Sequence, residues 1–139
     1  MKIVSFLAAG AAILTAAISS APAPAQADDL AAAFKKNQCA LCHTVTGKHT
    51  VGPSLKGVIG RKAGTADRYA KTRYSKSMVA AGEKGLVWSP ELIDKYIINP
   101  KKFLQDYLGD PKATTKMSFA GAKSAEERAK VVKYLESVK

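Results

Sequence analysis

The sequence predicts an all-α domain in which four to five short helices are joined by long loops. Apolar residues recur at helical spacing in several segments, and no segment alternates like a strand with β-branched and aromatic enrichment. Residues 44–65 are rich in glycine, which indicates an extended loop rather than a helix. Short helices and long loops make a poor core by themselves, so we expect the loops to pack around something large and apolar.

Two short helices are predicted on either side of this loop. We expect the first from about Leu30 to Cys39, where Asp28 and Asp29 can cap it and complement its dipole. The second is expected from Tyr74 to Ala81, with Gly82 ending it.

Three more helices are predicted in the second half of the chain. One runs from Ser89 to Ile98 and the next from Asn99 to about Leu108, because each begins with a polar cap followed by proline. Gly109 is expected to end the second of them. The last helix opens at Ser124, with Glu127 at the spacing of a capping box.

The N-terminus has the pattern of a secretory leader. Lys2 precedes an uncharged, alanine-rich run from Ile3 to Ile18, and the small-residue site Ala25-Gln26-Ala27 follows. The alternative is an uncleaved membrane anchor, but the run is shorter than the ~20 residues that span a bilayer. We therefore expect residues 1–27 to be cleaved and residues 28–139 to form one domain in the periplasm.

Charge and cysteine content narrow the class of protein. The net charge of +11 favours anionic partners, and an exported protein meets little nucleic acid. Two cysteines are too few for a disulfide-stapled scaffold or for a cysteine-rich zinc site. Both thiols are therefore available for other chemistry.

The sequence Cys39-Ala40-Leu41-Cys42-His43 has the spacing of c-type haem attachment. In a helical turn these positions share one face, so two thioethers can form while the imidazole binds iron. A thioredoxin-like dithiol would need a βαβ context, and a structural disulfide would not need the histidine. The motif predicts one covalently bound haem c around which the loops wrap.

A second axial ligand would occupy the sixth coordination position of the iron, as suits electron transfer. We expect Met117 to supply it, because this residue lies in an irregular stretch between two helices. Met78 is interpreted as a core residue and His49 as a solvated loop residue. The competing hypotheses are a peroxidase or ligand-binding haem protein with an open sixth position, and a basic protein without haem.

The chain as a whole resembles class I cytochrome c, most of all its bacterial soluble, cytochrome c2-like branch. Beyond the haem motif, the matching segments occur in the family's order, although the stretch between Phe103 and Met117 is longer than in mitochondrial relatives. They are Gly52-Pro53-Ser54-Leu55, Gly60-Arg61-Lys62-Ala63-Gly64, Trp88, Tyr96, Asn99-Pro100-Lys101-Lys102-Phe103, Thr115-Lys116-Met117 and Tyr134-Leu135.

The resemblance implies roles for eight further residues. The Pro53 carbonyl would accept a hydrogen bond from His43, and Tyr96 would hydrogen-bond near the Met117 sulfur. A buried haem propionate would be held by Arg61, Tyr74, Trp88 and Thr115. Phe34 and Tyr134 would mark where the first and last helices cross.

The expected function is a periplasmic electron shuttle cycling Fe(III)/Fe(II), not an enzyme. A membrane cytochrome complex would be its donor, and an oxidase or photosynthetic reaction centre its acceptor, each with an acidic docking face. We expect a monomer that is not membrane-embedded and has no nucleic-acid partner. The resemblance places a docking ring of lysines around the haem edge: Lys35, Lys36, Lys101, Lys102, Lys116 and Lys123.

Overall fold

A computed structural model of the chain describes residues 24–139, and most of the predicted leader lies outside them. The described chain is all-α, with short 3₁₀ turns at Cys39–Leu41 and Lys71–Arg73. Its five helices are α1 (Pro24–Lys36), α2 (Lys76–Glu83), α3 (Pro90–Ile98), α4 (Pro100–Leu108) and α5 (Ala125–Ser137). An isolated bridge between Lys62 and Val87 is the one piece of β-pairing in the described part. The predicted fold class is confirmed.

The caps of α3, α4 and α5 are those that the sequence predicts. Ser89 Oγ accepts a hydrogen bond from the Leu92 N–H at 3.2 Å, and Asn99 Oδ1 accepts one from the Lys102 N–H at 3.0 Å. Ser124 caps α5 in the same way. These helices begin as predicted because each cap satisfies a backbone donor within three residues of itself.

The predicted limits of α1 were wrong. The helix begins at Pro24 instead of about Leu30 and ends at Lys36, so Asp28 and Asp29 lie inside it rather than at its cap. Asp29 instead forms an ion pair with Lys130 of α5 at 3.3 Å. Contacts with α5 extend the helix beyond what its local cap signals indicate.

The predicted limits of α2 were also shifted. Ser75 caps the helix by accepting from the Met78 N–H at 3.1 Å, and α2 continues through Gly82. Glycine is needed at position 82 for packing and not for termination, because a Cβ there would stand 2.0 Å from the Ala63 carbonyl oxygen. The helix therefore lies directly against the backbone of the preceding loop.

The helices pack in pairs around one core. α1 crosses α5, with the ring centroids of Phe34 and Tyr134 5.2 Å apart as expected for these two positions. α3 packs on α5, and α4 packs on both α2 and α3. Within residues 24–139 no helix combines the length and the hydropathy needed to cross a bilayer.

The long segment between α4 and α5 follows a defined path. Gly109 turns the chain with a φ of 68°, and the Lys112 N–H donates to the Asp110 carboxylate at 2.8 Å. Ala113 is buried. The chain thus turns after α4 and runs back towards α2, where the Thr114 N–H donates to Ser77 Oγ at 2.9 Å.

Candidate haem site

One tight turn gathers the side chains of the Cys39–His43 motif. The Cys39 carbonyl accepts hydrogen bonds from the backbone N–H groups of Cys42 (3.2 Å) and His43 (3.0 Å). Neither cysteine is in a disulfide with any other described residue. Burial raises the pKa of the Cys39 thiol to about 11, with a backbone hydrogen bond acting in the opposite direction. The turn therefore presents two free sulfurs and one imidazole together.

The imidazole of His43 is oriented by the loop that follows it. Its Nδ1 lies 2.7 Å from the Pro53 carbonyl oxygen, and because a carbonyl only accepts, Nδ1 carries the proton. Burial lowers the pKa of His43; the Pro53 contact opposes that change and the Arg61 charge adds to it. The ring is a neutral imidazole whose Nε2 bears the free lone pair, the form that binds metals.

Gly52 lets this loop lie against the ring. A Cβ at position 52 would stand 2.4 Å from His43 Cε1 and 2.6 Å from Nδ1. The Gly52 N–H donates to the Cys42 carbonyl at 2.7 Å, and the Thr50 hydroxyl donates to the same carbonyl at 2.6 Å. The loop is thus bonded to the motif itself, which holds Pro53 at the imidazole.

All of the predicted site residues line one cavity of about 530 Å³. This volume falls among those of ordinary cofactor and ligand sites, a few hundred to about 1,000 Å³. Buried apolar side chains, among them Val58 and Ile93, form much of the remaining wall. The predicted residues in the lining are Cys39, Cys42, His43, Pro53, Arg61, Tyr74, Trp88, Tyr96, Thr115 and Met117.

Arg61 puts a half-buried cation in the cavity wall. Its guanidinium donates to the carbonyls of Ser54 at 2.9 Å and Lys56 at 3.4 Å, and it pairs with no carboxylate in the described chain. Burial lowers the pKa of Arg61, while Tyr74 raises it. A desolvated cation of this kind favours an anionic group in the cavity.

Tyr74 and Trp88 add hydrogen-bond donors to the same wall. The Tyr74 hydroxyl oxygen accepts from the Ala66 N–H at 3.1 Å, which leaves its own proton to donate. Burial raises the pKa of Tyr74, so the phenol stays protonated. Trp88 is 8% exposed, and it lines the cavity with an indole that can only donate. Together with Arg61 they suit a carboxylate better than an apolar group.

Met117 enters the cavity lining from an irregular segment. Its backbone N–H donates to Thr115 Oγ1 at 3.0 Å. Burial raises the pKa of Tyr96 on α3 to about 12, with hydrogen bonding to the Thr115 side chain acting in the opposite direction. The Tyr96 ring packs on Trp88 with centroids 5.0 Å apart. The phenol is therefore held neutral at one wall of the cavity.

His49 lies in a polar loop and is partly exposed, as interpreted, but the structure also shows hydrogen bonds at both of its ring nitrogens. Its Nε2 donates to the Asp67 carbonyl at 2.6 Å and its Nδ1 accepts from the Ser54 N–H at 3.0 Å. Both ring nitrogens are engaged, so His49 joins two loops and is not free to bind a metal. The sequence carries no signal for this role, because Asp67 lies far along the chain. Met78 is buried as predicted, and it also lines the cavity.

The six lysines of the expected docking ring are not equivalent. Lys36 pairs with Glu127 at 3.1 Å, and Lys102 pairs with Asp106 one turn along α4. Lys116 Nζ donates to the Thr72 carbonyl at 2.8 Å. No ion pair within the described residues involves the other three members of the ring, Lys35, Lys101 and Lys123.

Comparison with known proteins gives a consistent result. The family model for cytochrome c matches residues 27–139. The chain is 39% identical to cytochrome c-551 of Roseobacter denitrificans, over 92% of this chain and 93% of the relative. It is 42% identical to cytochrome c2 of Rhodobacter capsulatus, over 90% of this chain and 96% of the relative. The structure of cytochrome c2 from Rhodospirillum centenum superposes with a TM-score of 0.72 at 41% identity, covering 81% of this chain and 98% of that one.

The family model spans residues 27–139, which is nearly all of the described chain. These similarities confirm the resemblance to the class I, cytochrome c2-like branch and the expectation of one covalently bound haem c. They likewise confirm an electron carrier rather than an enzyme. By sequence and by fold, the chain is a single-haem electron-transfer protein that belongs to the cytochrome c family.

Proposed function

We propose that this protein is a periplasmic one-electron shuttle whose haem iron is bound by His43 and Met117. The observation that carries the proposal is the cavity itself. Two free thiols and a neutral imidazole from one turn line the same space as the thioether of Met117, which lies far along the chain. A bound haem c would supply the Fe(III)/Fe(II) couple, and methionine with histidine raises its reduction potential.

The donor set fits covalent haem c. Cys39 and Cys42 would hold the thioethers, because they occupy one turn with His43 and have no disulfide between them. The Pro53 carbonyl would keep Nδ1 of His43 protonated and so leave Nε2 for iron. The close approach at Gly52 limits the ring to this orientation.

We assign the propionate side of the site to Arg61, Tyr74, Trp88 and Thr115. The support is electrostatic: Arg61 is desolvated and lacks a carboxylate partner in the described chain, and all four residues line the same cavity. Each of these side chains carries an N–H or O–H of the kind that donates to a carboxylate. Tyr96 would donate near the Met117 sulfur.

Axial ligation by Met117 is tested by spectroscopy of the haem-loaded protein. The Met117→Ala variant is expected to lose the long-wavelength sulfur-to-iron band of the oxidised form. Met78→Ala is the matched control, because Met78 lines the same cavity but should leave the band in place. Ready binding of carbon monoxide by the reduced parent protein at neutral pH would contradict six-coordination and favour the open-site hypothesis.

Residues 1–27 are proposed to direct export and to be removed, which leaves residues 28–139 in the periplasm. Fractionation of the source cells should recover the coloured protein by osmotic shock, and its N-terminal residue should be Asp28. Recovery in the cytoplasm, or in the membrane with the leader attached, would contradict this proposal.

The proposed partners are a membrane cytochrome complex as donor and an oxidase or photosynthetic reaction centre as acceptor. The basic surface supports acidic docking faces, and Lys35, Lys101 and Lys123 are the ring lysines with neither an ion pair nor the backbone-carbonyl bond of Lys116 within the described residues. Replacing these three by Gln should slow electron transfer to the partner more than replacing Lys36 and Lys102, which are already paired. Equal effects of the two sets would argue against this assignment. The shuttle is proposed to act as a monomer, which sedimentation of the haem-loaded protein tests.

A further inference from the structure

The segment that carries Met117 is held to the rest of the fold by backbone donors at its two ends and by the Lys116 side chain, whose Nζ donates to the Thr72 carbonyl at 2.8 Å. Among the backbone N–H groups of residues 114–122, two donate to another element of the described chain. The Thr114 N–H donates to Ser77 Oγ on α2 at 2.9 Å, and the Ala122 N–H donates to the Ile97 carbonyl on α3 at 2.9 Å. The Met117 N–H bonds only within the segment, to Thr115.

The two ends are held by different means. At the downstream end the bond is between backbone groups, and Gly121, with a φ of +93°, packs so closely that a Cβ would stand 2.0 Å from the Ile98 carbonyl oxygen. At the upstream end the bond depends on one side-chain hydroxyl, that of Ser77. Of the two backbone donors at the ends, it is therefore the upstream one whose partner a single side-chain substitution removes.

Ser77 is well placed to act as a fixed anchor. It lies in the first turn of α2, whose start is set by the Ser75 cap. The body of α2 is held against the loop before it, because Gly82 packs on the Ala63 carbonyl. An acceptor on such an element keeps its position when the irregular segment moves.

We propose that Ser77 is a positioning residue that keeps Met117 in the haem cavity. This inference rests on the proposed ligation by Met117. With the hydrogen bond formed, Thr114 stays at the first turn of α2 and the Met117 thioether stays in the cavity lining. Without it the segment opens more often, hinged at Ala122, and the sixth position becomes accessible to other ligands.

Binding of imidazole to the oxidised, haem-loaded protein measures this opening. An added ligand needs the open state, so its apparent affinity scales with the open fraction. Ser77→Ala should bind imidazole about fivefold more tightly than the parent, the factor that corresponds to a net hydrogen bond of about 1 kcal/mol. Alanine is a good helix former, so α2 itself should not be weakened.

Threonine and valine are nearly isosteric, so a comparison of these two substitutions at position 77 isolates the effect of the hydroxyl. Ser77→Thr keeps the acceptor and should retain the parent affinity within about twofold, whereas Ser77→Val should behave like Ser77→Ala. Ser137→Ala is the control for loss of a hydroxyl elsewhere, because Ser137 bonds only to Tyr134 in its own helix at 2.7 Å. It should leave imidazole binding unchanged.

The inference is overturned if Ser77→Ala and Ser77→Val bind imidazole with the affinity of the parent. It is also overturned if the Ser77→Thr and Ser77→Val variants bind imidazole with the same affinity. A lower urea midpoint without a change in imidazole affinity would show a merely structural role and would also overturn it. The Met117→Ala variant separates the two proposals. If that variant keeps the sulfur-to-iron band, it is the proposed ligation that has failed.

Discussion

Gly52→Ala is the substitution for which the structure gives the most direct expectation at the haem site. Position 52 has no positive φ, so alanine is compatible with its backbone, and the obstacle is the His43 ring. The new Cβ would stand 2.4 Å from His43 Cε1, where ordinary van der Waals contact begins at 3.4 Å. The ring or the loop must therefore move by about 1 Å to admit one methyl group.

The expected cost follows from what such a movement breaks. Overpacking by a methyl group costs about 1–3 kcal/mol, and displacing the ring also weakens the Pro53 hydrogen bond, worth about 1 kcal/mol. Replacing glycine recovers about 0.4–1 kcal/mol from the unfolded chain. We expect Gly52→Ala to lower the free energy of unfolding by about 1–3 kcal/mol.

Urea unfolding of the haem-loaded protein, followed by circular dichroism, measures this change. Gly57→Ala is the matched control: a Cβ there meets nothing within 4 Å, but its φ of +62° is unfavourable for alanine. It should cost about 1–2 kcal/mol through backbone strain and leave the haem spectrum unchanged, whereas Gly52→Ala should alter the spectrum as well. Stability within about 0.5 kcal/mol of the parent, with an unchanged spectrum, would refute this account of Gly52.

Three further predictions concern the fold and the surface. Gly121→Ala should destabilise the protein by more than about 2 kcal/mol in urea unfolding, because a positive φ and a 2.0 Å approach to the Ile98 carbonyl both oppose a side chain; a smaller loss would contradict this packing. Burial raises the pKa of Tyr74 above its usual 10.0, so its contribution to stability is present below pH 10 and lost as pH rises further. The free energy of unfolding should consequently fall less steeply above pH 10 in the Tyr74→Phe variant than in the parent. Parallel curves of this free energy against pH for the two proteins would refute the prediction. The rate of reduction in the reaction with the partner should fall steeply as ionic strength rises. A rate that does not change with ionic strength would argue against a charge-steered surface.

Much of the fold and the site could be predicted because their signals are local. The Cys39–His43 motif closes on itself through hydrogen bonds to the Cys39 carbonyl. The caps at Ser89 and Asn99 satisfy donors three residues ahead. A short stretch of sequence contains both partners of each such bond, so the pattern predicts the structure.

Other features could not be predicted, because their partners lie far apart in the chain. The sequence indicates only that His49 is a polar loop residue, because its partner, the Asp67 carbonyl, is brought to it by the fold. The sequence predicts that Gly82 ends a helix, because nothing local shows that the Ala63 carbonyl packs against it. The start of α1 was misjudged for the same reason, since α5 supports it.

The sequence by itself therefore determined the all-α class, the haem-attachment turn and the helix starts at Ser89, Asn99 and Ser124. Only the tertiary structure decided that Arg61, Trp88 and Met117 share one cavity with that turn, and that Ser77 holds the segment of Met117. The physical reason is distance along the chain. A cap or a turn is fixed by neighbours, whereas contacts across many residues form only when burial of the common core offsets the entropy of closing the loops between them.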